Sequence, residues 1–130
     1  MKKILTIIIL CFITILSHAQ TNLTGTWEWS NADTSSVFSL VLTQNADSIS
    51  GYHTIVAQNG LKVDEQNDNY SIKGKIQSDS IFYVTFKSSF TDNLGSASIT
   101  VIDNKSIKWV IIKAPVGEYY FPAETILTKQ

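Results

Sequence analysis

His53, within "SISGYHTIVA", is the single histidine downstream of residue 18. A histidine-rich metal site is therefore excluded, since such sites need several imidazole or thiolate ligands. A serine–histidine–carboxylate relay would have to be built around His53 alone, and nothing near it resembles a nucleophile elbow. Period-two spacing puts His53 on the face of Ile49, Gly51 and Ile55, opposite Tyr52, Thr54 and Val56. Two readings stay open: an ordinary strand histidine, or a pocket or catalytic group.

A second cluster, "KVDEQNDN", gathers Asp64, Glu65 and Asp68 with Asn67 and Asn69, all with oxygens suited to calcium. It lacks the EF-hand order, and a solvated loop between strands has the same composition. Glu28, Glu118 and Glu124 are the candidates for paired-carboxylate chemistry on a glycosidic bond, and their spacing gives no reason to pair them. No glycine-rich phosphate loop, zinc spacing or dinucleotide fingerprint occurs. No catalytic residue, metal or cofactor is assigned, and a non-enzymatic role is expected.

Aromatic residues concentrate in "APVGEYYFPAE", where Tyr119, Tyr120 and Phe121 stand between Pro115 and Pro122. Aromatic rings in a connection between strands are costly to leave in water. They either cover the core or form the lip of a site for a ligand or partner. With Trp29, Phe86 and Trp109 they are the candidates for lining a ligand site.

These side chains must be positioned by strands. From Leu23 onward apolar residues recur with period two in short runs separated by asparagine, aspartate, serine and glycine. Strands are expected near 23–30, 36–44, 48–57, 69–77, 80–90, 95–102, 106–114 and 123–129. Most separators are short enough for hairpins, so the eight strands form an antiparallel up-and-down meander, and closure into a barrel removes its two exposed edges. Phe38, Leu40 and Leu42 share one face, and Phe82, Val84, Phe86 and Phe90 another; Trp27 and Trp29 also point one way. The strand "SIKWVIIK" is apolar on both faces, with Ile107, Trp109 and Ile111 opposite Val110 and Ile112. Its outer face calls for a covering segment or a subunit interface, homodimerisation being one form of the latter.

The chain opens with Lys2 and Lys3, an apolar run from Ile4 to Leu16, and Ser17-His18-Ala19. This is the anatomy of a signal peptide cleaved after Ala19. A membrane anchor is the alternative, but the run is short against the roughly 20 apolar residues of a spanning helix. Cys11 follows Leu10 inside the apolar run, unlike the lipid-bearing cysteine of a lipoprotein, and leaves with the leader. Residues 1–19 are thus read as the signal and 20–130 as one β domain without disulfides. With Lys2 and Lys3 gone, eight lysines face eleven carboxylates, a net charge near −3. No basic stripe exists to track phosphates, so nucleic acid is not expected as a partner. The absence of arginine and the abundance of isoleucine and asparagine fit an AT-rich bacterial genome, hence export to the periplasm or beyond.

"GTW" at Gly25 to Trp27, opening the first strand of an exported eight-strand meander, resembles the Gly-x-Trp signature of lipocalins and the wider calycin barrels, avidins included. The resemblance implies a lipocalin-like barrel in which Gly25 permits tight entry of the chain and Trp27 closes the floor, with Trp29 one layer higher. Lipocalins also pack an arginine on the floor tryptophan; here Lys129 is the nearest stand-in. Avidins carry an asparagine two residues after the motif tryptophan, where this chain has Trp29, so biotin binding is not implied. The chain also looks like small secreted bacterial proteins that open with a "GTWEW" strand and close with an "ILTK" strand, a family of no established activity. Two functions follow as expectations: a barrel binding a small apolar molecule, or a protein-binding module of the inhibitor, immunity or envelope-assembly kind using the aromatic loop.

Overall fold

The period-two segments resolve as strands in a computed structural model, which describes residues 22–66 and 68–130. The expected signal peptide, Cys11 and the expected cleavage site after Ala19 lie outside the described residues. The elements in chain order are β1 (Gly25–Asn31), a 3₁₀ turn (Ala32–Thr34), β2 (Ser36–Asn45), β3 (Ser48–Ala57), β4 (Lys62–Glu65), β5 (Ile72–Ser78), β6 (Ile81–Phe86), β7 (Gly95–Val101), β8 (Ser106–Lys113) and β9 (Glu124–Lys129). All pairings are antiparallel, and the ring runs β1-β2-β3-β5-β6-β7-β8-β9 and back to β1, closing an eight-strand barrel with β4 as an extra strand. Closure leaves no free edge in this ring.

The extra strand corrects the sequence reading, in which residues 58–68 formed a loop. β3 is longer than its partner β5: Ser48–Gly51 pair with Lys75–Ile72, and Thr54–Ala57 pair with Glu65–Lys62 of β4. β4 and β5 thus lie along successive stretches of one edge of β3, like a single return strand interrupted after Glu65. The Ser71 N–H donates to the Gly51 carbonyl at 3.0 Å and the Gln66 N–H to the His53 carbonyl at 3.3 Å, so pairing resumes on each side of the interruption. The expected 80–90 strand also stops early, at Phe86, and Phe90 is 37% exposed rather than on the inner face. Beyond Phe86 the chain turns to present Ser88 and Ser89 toward β4.

Inward residues follow the expected parity. Phe38, Leu40 and Leu42 of β2, Phe82, Val84 and Phe86 of β6, and Ile107 and Trp109 of β8 are buried together with Leu23, Trp27 and Leu127. The outer face of β8 carries half-buried Val110 and Ile112, which remains 59% exposed. At the floor, the Trp27 indole N–H donates to the Leu23 carbonyl at 2.9 Å, and Lys129 Nζ lies 5.6 Å from the indole ring. Gly25 has φ +144°, and a Cβ there would sit 2.9 Å from Lys129 Cε, so glycine allows the lysine to cross over the tryptophan.

Floor-end connections are short, at 46–47, 79–80 and 102–105, whereas the opposite mouth carries 32–35, 58–61, 87–94 and 114–123. Gly95, paired with Phe86, matters to the space beneath that mouth. A Cβ at residue 95 would lie 2.4 Å from Phe86 Cζ, so the phenyl ring rests on bare backbone. Gly95→Ala is expected to lower the unfolding free energy by about 1–3 kcal/mol, the usual range for overpacking a filled interior. Urea titration of both proteins checks this; an unchanged midpoint would mean that the ring has room to move.

Candidate functional site

Below the mouth, aromatic rings meet in one cluster. Phe38 from β2, Phe86 from β6 and Trp109 from β8 project inward because each is on the buried parity of its strand. The connection 114–123 adds Phe121, whose ring centroid lies 5.6 Å from Phe38, 4.4 Å from Phe86, 5.6 Å from Trp109 and 4.5 Å from the His53 imidazole. Such tilted and edge-on contacts suit the aromatic quadrupole. The Trp109 indole N–H donates to the Pro122 carbonyl at 2.9 Å, tying the connection to the wall.

On the other side of this connection a partly open pocket of about 140 Å³ is lined by Trp29, Ser36, Val37, Phe38, Ile55, Val56, Ala57, Tyr120 and Pro122. Its lining is mainly apolar. At the rim the Tyr120 hydroxyl donates to the Glu118 carboxylate, which also lies 3.4 Å from Lys62 Nζ. The Tyr120 bond and the lysine hold the Glu118 carboxyl below its ordinary range, and the same bond raises the Tyr120 phenol. Phe90 meets Tyr120 edge-on at 5.2 Å, and Lys62 Nζ lies 5.5 Å from the Phe90 centroid.

Beside the aromatic cluster sits a buried polar network. His53 Nε2 is 2.8 Å from Asp64 Oδ1, and Nδ1 is 2.6 Å from Ser71 Oγ. An ionised carboxylate only accepts, so Nε2 carries a proton toward Asp64, and the Ser71 hydroxyl, which can accept or donate, pairs with Nδ1. Asp64 accepts further bonds from Ser88 Oγ at 2.5 Å, the Ser89 N–H at 2.8 Å and Ser89 Oγ at 2.9 Å. Burial works against the charged form, but hydrogen bonds from His53, Ser88 and the Ser89 backbone outweigh it and hold the carboxyl down at about 2. Among the described residues no buried side-chain nitrogen or oxygen lacks a partner. Hydroxyl, imidazole and carboxylate are the groups of a nucleophilic relay. Here His53, Asp64, Ser71 and Ser88 are all buried, so this relay is packed inside the wall. Among the described residues β4 pairs by backbone with β3 alone, and the Asp64 side chain joins β4 to residues 88–89.

Of the residues singled out as ligand-lining, Trp29 and Tyr120 line the pocket, Phe86, Trp109 and Phe121 pack on one another inside, and Tyr119 is half-buried against the core. Gly25 and Trp27 lie at the opposite end, beside Lys129. The acids of "KVDEQNDN" diverge: Asp64 turns inward, whereas Glu65 and Asp68 are exposed. Ser71, Ser88 and Ser89 were not anticipated, nor was Asp64 as the partner of His53. The available signal was His53 itself, an imidazole on an apolar inward face that needs polar partners.

The chain matches no family model, and no curated protein or solved structure is significantly similar to it.

The network gives stability an acid limb of defined sign. The Asp64 pKa falls from 3.8 to about 2 on folding, so its contribution is complete above the unfolded value and is lost as pH drops toward 2. Its size is about 2 kcal/mol at neutral pH. Asp64→Asn is expected to lower stability at pH 7 by about 2–4 kcal/mol, by unpairing buried donors. It should also flatten the stability decline between about pH 5 and 2. Urea midpoints measured across this range check both effects; an unchanged acid slope would show that Asp64 titrates alike in both states.

Proposed function

We propose that this chain is an exported, non-enzymatic, lipocalin-like binding barrel whose ligand contact is the apolar mouth pocket. The observation that carries this reading is where side chains leave space. Trp27, Leu40, Phe82, Phe86, Trp109 and Phe121 occupy the interior, and the pocket of about 140 Å³ opens at the mouth between Trp29 and Tyr120. Pockets for drug-sized molecules are roughly 300–1,000 Å³. A volume near 150 Å³ suits one benzene-sized group. The ligand class is therefore a single ring or a short branched aliphatic group. The longer connections gather at this end, as is usual where a rigid scaffold carries a binding function. Export rests on the leader sequence, "MKKILTIIILCFITILSHA".

A protein partner that inserts one apolar side chain is the second reading. Leu61, 82% exposed, and Val116, 74% exposed, stand on mouth connections and favour it. Aromatic and aliphatic anchors seated in small pockets dominate many interfaces.

Titration of ¹⁵N-labelled residues 20–130 with p-cresol tests the site itself. Burial of roughly 150 Å² of ring surface corresponds to a Kd on the order of 1 mM. Resonances of Trp29, Val37, Val56 and Tyr120 are expected to move together, with those at the Trp27 floor unchanged. Scattered or floor-centred shifts would contradict the pocket assignment. Native mass spectrometry of protein taken gently from its export compartment separates the two readings, because a small adduct supports the carrier and a bound polypeptide the module.

A further inference from the structure

We propose that Phe121 is an exchangeable internal occupant of an aromatic ring site, displaced when an external ring of phenol size enters through the mouth pocket. The proposal rests on the mouth pocket being the point of entry.

Phe121 differs from its neighbours in how it reaches the cluster. Phe38, His53, Phe86 and Trp109 belong to strands β2, β3, β6 and β8 of the closed wall, and their positions are set by ladder hydrogen bonds. Phe121 is delivered by a connection, and its ring is surrounded by those four at centroid distances of 4.4–5.6 Å. The four wall rings therefore form a box for one flat ring, and the protein fills it with its own. A planar aromatic ligand reproduces the stacked and edge-on contacts that Phe121 makes there.

The segment 120–122 is also the partition between box and pocket. Tyr120 and Pro122 face the pocket while Phe121 faces the box, so a strap one residue thick separates the two spaces. Its backbone anchors sit at its ends. The Val116 carbonyl accepts from Thr91 Oγ1 at 2.8 Å and Asn93 Nδ2 at 2.9 Å, and the Pro122 carbonyl accepts from the Trp109 indole at 2.9 Å. Among the described residues, no backbone group of 118–121 is hydrogen-bonded to another segment. Apart from the exposed Glu118–Lys62 ion pair, side-chain packing holds the middle of the strap, and a competing ring can replace packing of that kind. Displacement merges the pocket with the box and releases the Trp109 indole from Pro122.

The three tryptophans supply separate reporters: Trp27 at the floor, Trp29 in the pocket and Trp109 on the strap. Indole N–H resonances of ¹⁵N-labelled protein are followed during p-cresol titration of wild type and Phe121→Ala. In wild type the Trp29 and Trp109 signals are both expected to move, and Trp27 to stay. Phe121→Ala removes the competitor, and its affinity for p-cresol is expected to rise about tenfold or more, since apparent affinity scales with the fraction of open site. If p-cresol moves Trp29 alone in both proteins, with equal affinity, exchange is overturned and the mouth pocket stands. If neither Trp29 nor Trp109 responds in either protein, both readings fall. Should Phe121→Ala not fold, the wild-type titration decides: a stationary Trp109 signal at saturation of the Trp29 response overturns the exchange.

Discussion

The packing of one loop-borne phenyl ring against Phe38, His53, Phe86 and Trp109 organises the upper half of this barrel. It fills the volume that an eight-strand ring encloses beneath its mouth. Through the Trp109 bond to the Pro122 carbonyl it orders the strap, whose opposite side chains then become the wall of the mouth pocket. The same ring covers the imidazole of His53, which helps keep the neighbouring polar network dry. Mouth pocket, core and buried charge are thus linked through a single side chain.

The network around His53 answers a different constraint. A strand interrupted between Glu65 and Ile72 leaves β4 without a backbone partner on the side away from β3. Buried backbone and side-chain groups there still require partners. Asp64 meets that requirement by accepting from His53, Ser88 and Ser89 at once. A carboxylate so placed is held in its charged form against burial because its donors converge on it. Ser71, His53 and Asp64 stand in relay-like order, with every member satisfied inside the protein.

Much of the architecture was legible from alternation. β1 to β3 and β7 to β9 coincide closely with the expected runs, while β5 starts later and β6 stops earlier than expected, and inward positions such as Phe38, Leu40, Phe82 and Trp109 follow the simple parity of half-buried strands. β4 was hidden because its pattern is inverted: Val63 is half exposed and Asp64 is buried, so a rule that sends apolar residues inward reads it as loop. The aromatic segment 119–121 was recognisable as packing on something, yet alternation within an irregular connection could not say that Phe121 enters the barrel while Tyr120 faces the pocket. Those choices depend on the fold of the strap around Pro115, Gly117 and Pro122. Lys129 over Trp27 was anticipated from the resemblance to lipocalins, which pack an arginine on the floor tryptophan, and the last strand does return beside the first.

Leu40, Phe82 and Phe86 pack the interior, and the open pocket lies at the mouth between Trp29 and Tyr120. Diffraction from crystals of residues 20–130 pressurised with xenon tests this division most directly, because xenon enters apolar voids and ignores filled ones. Xenon is expected in the pocket between Trp29 and Tyr120, with none among Leu40, Phe82 and Phe86. Xenon bound deep between those residues, with the mouth pocket empty, would contradict it and return the ligand site to the barrel interior.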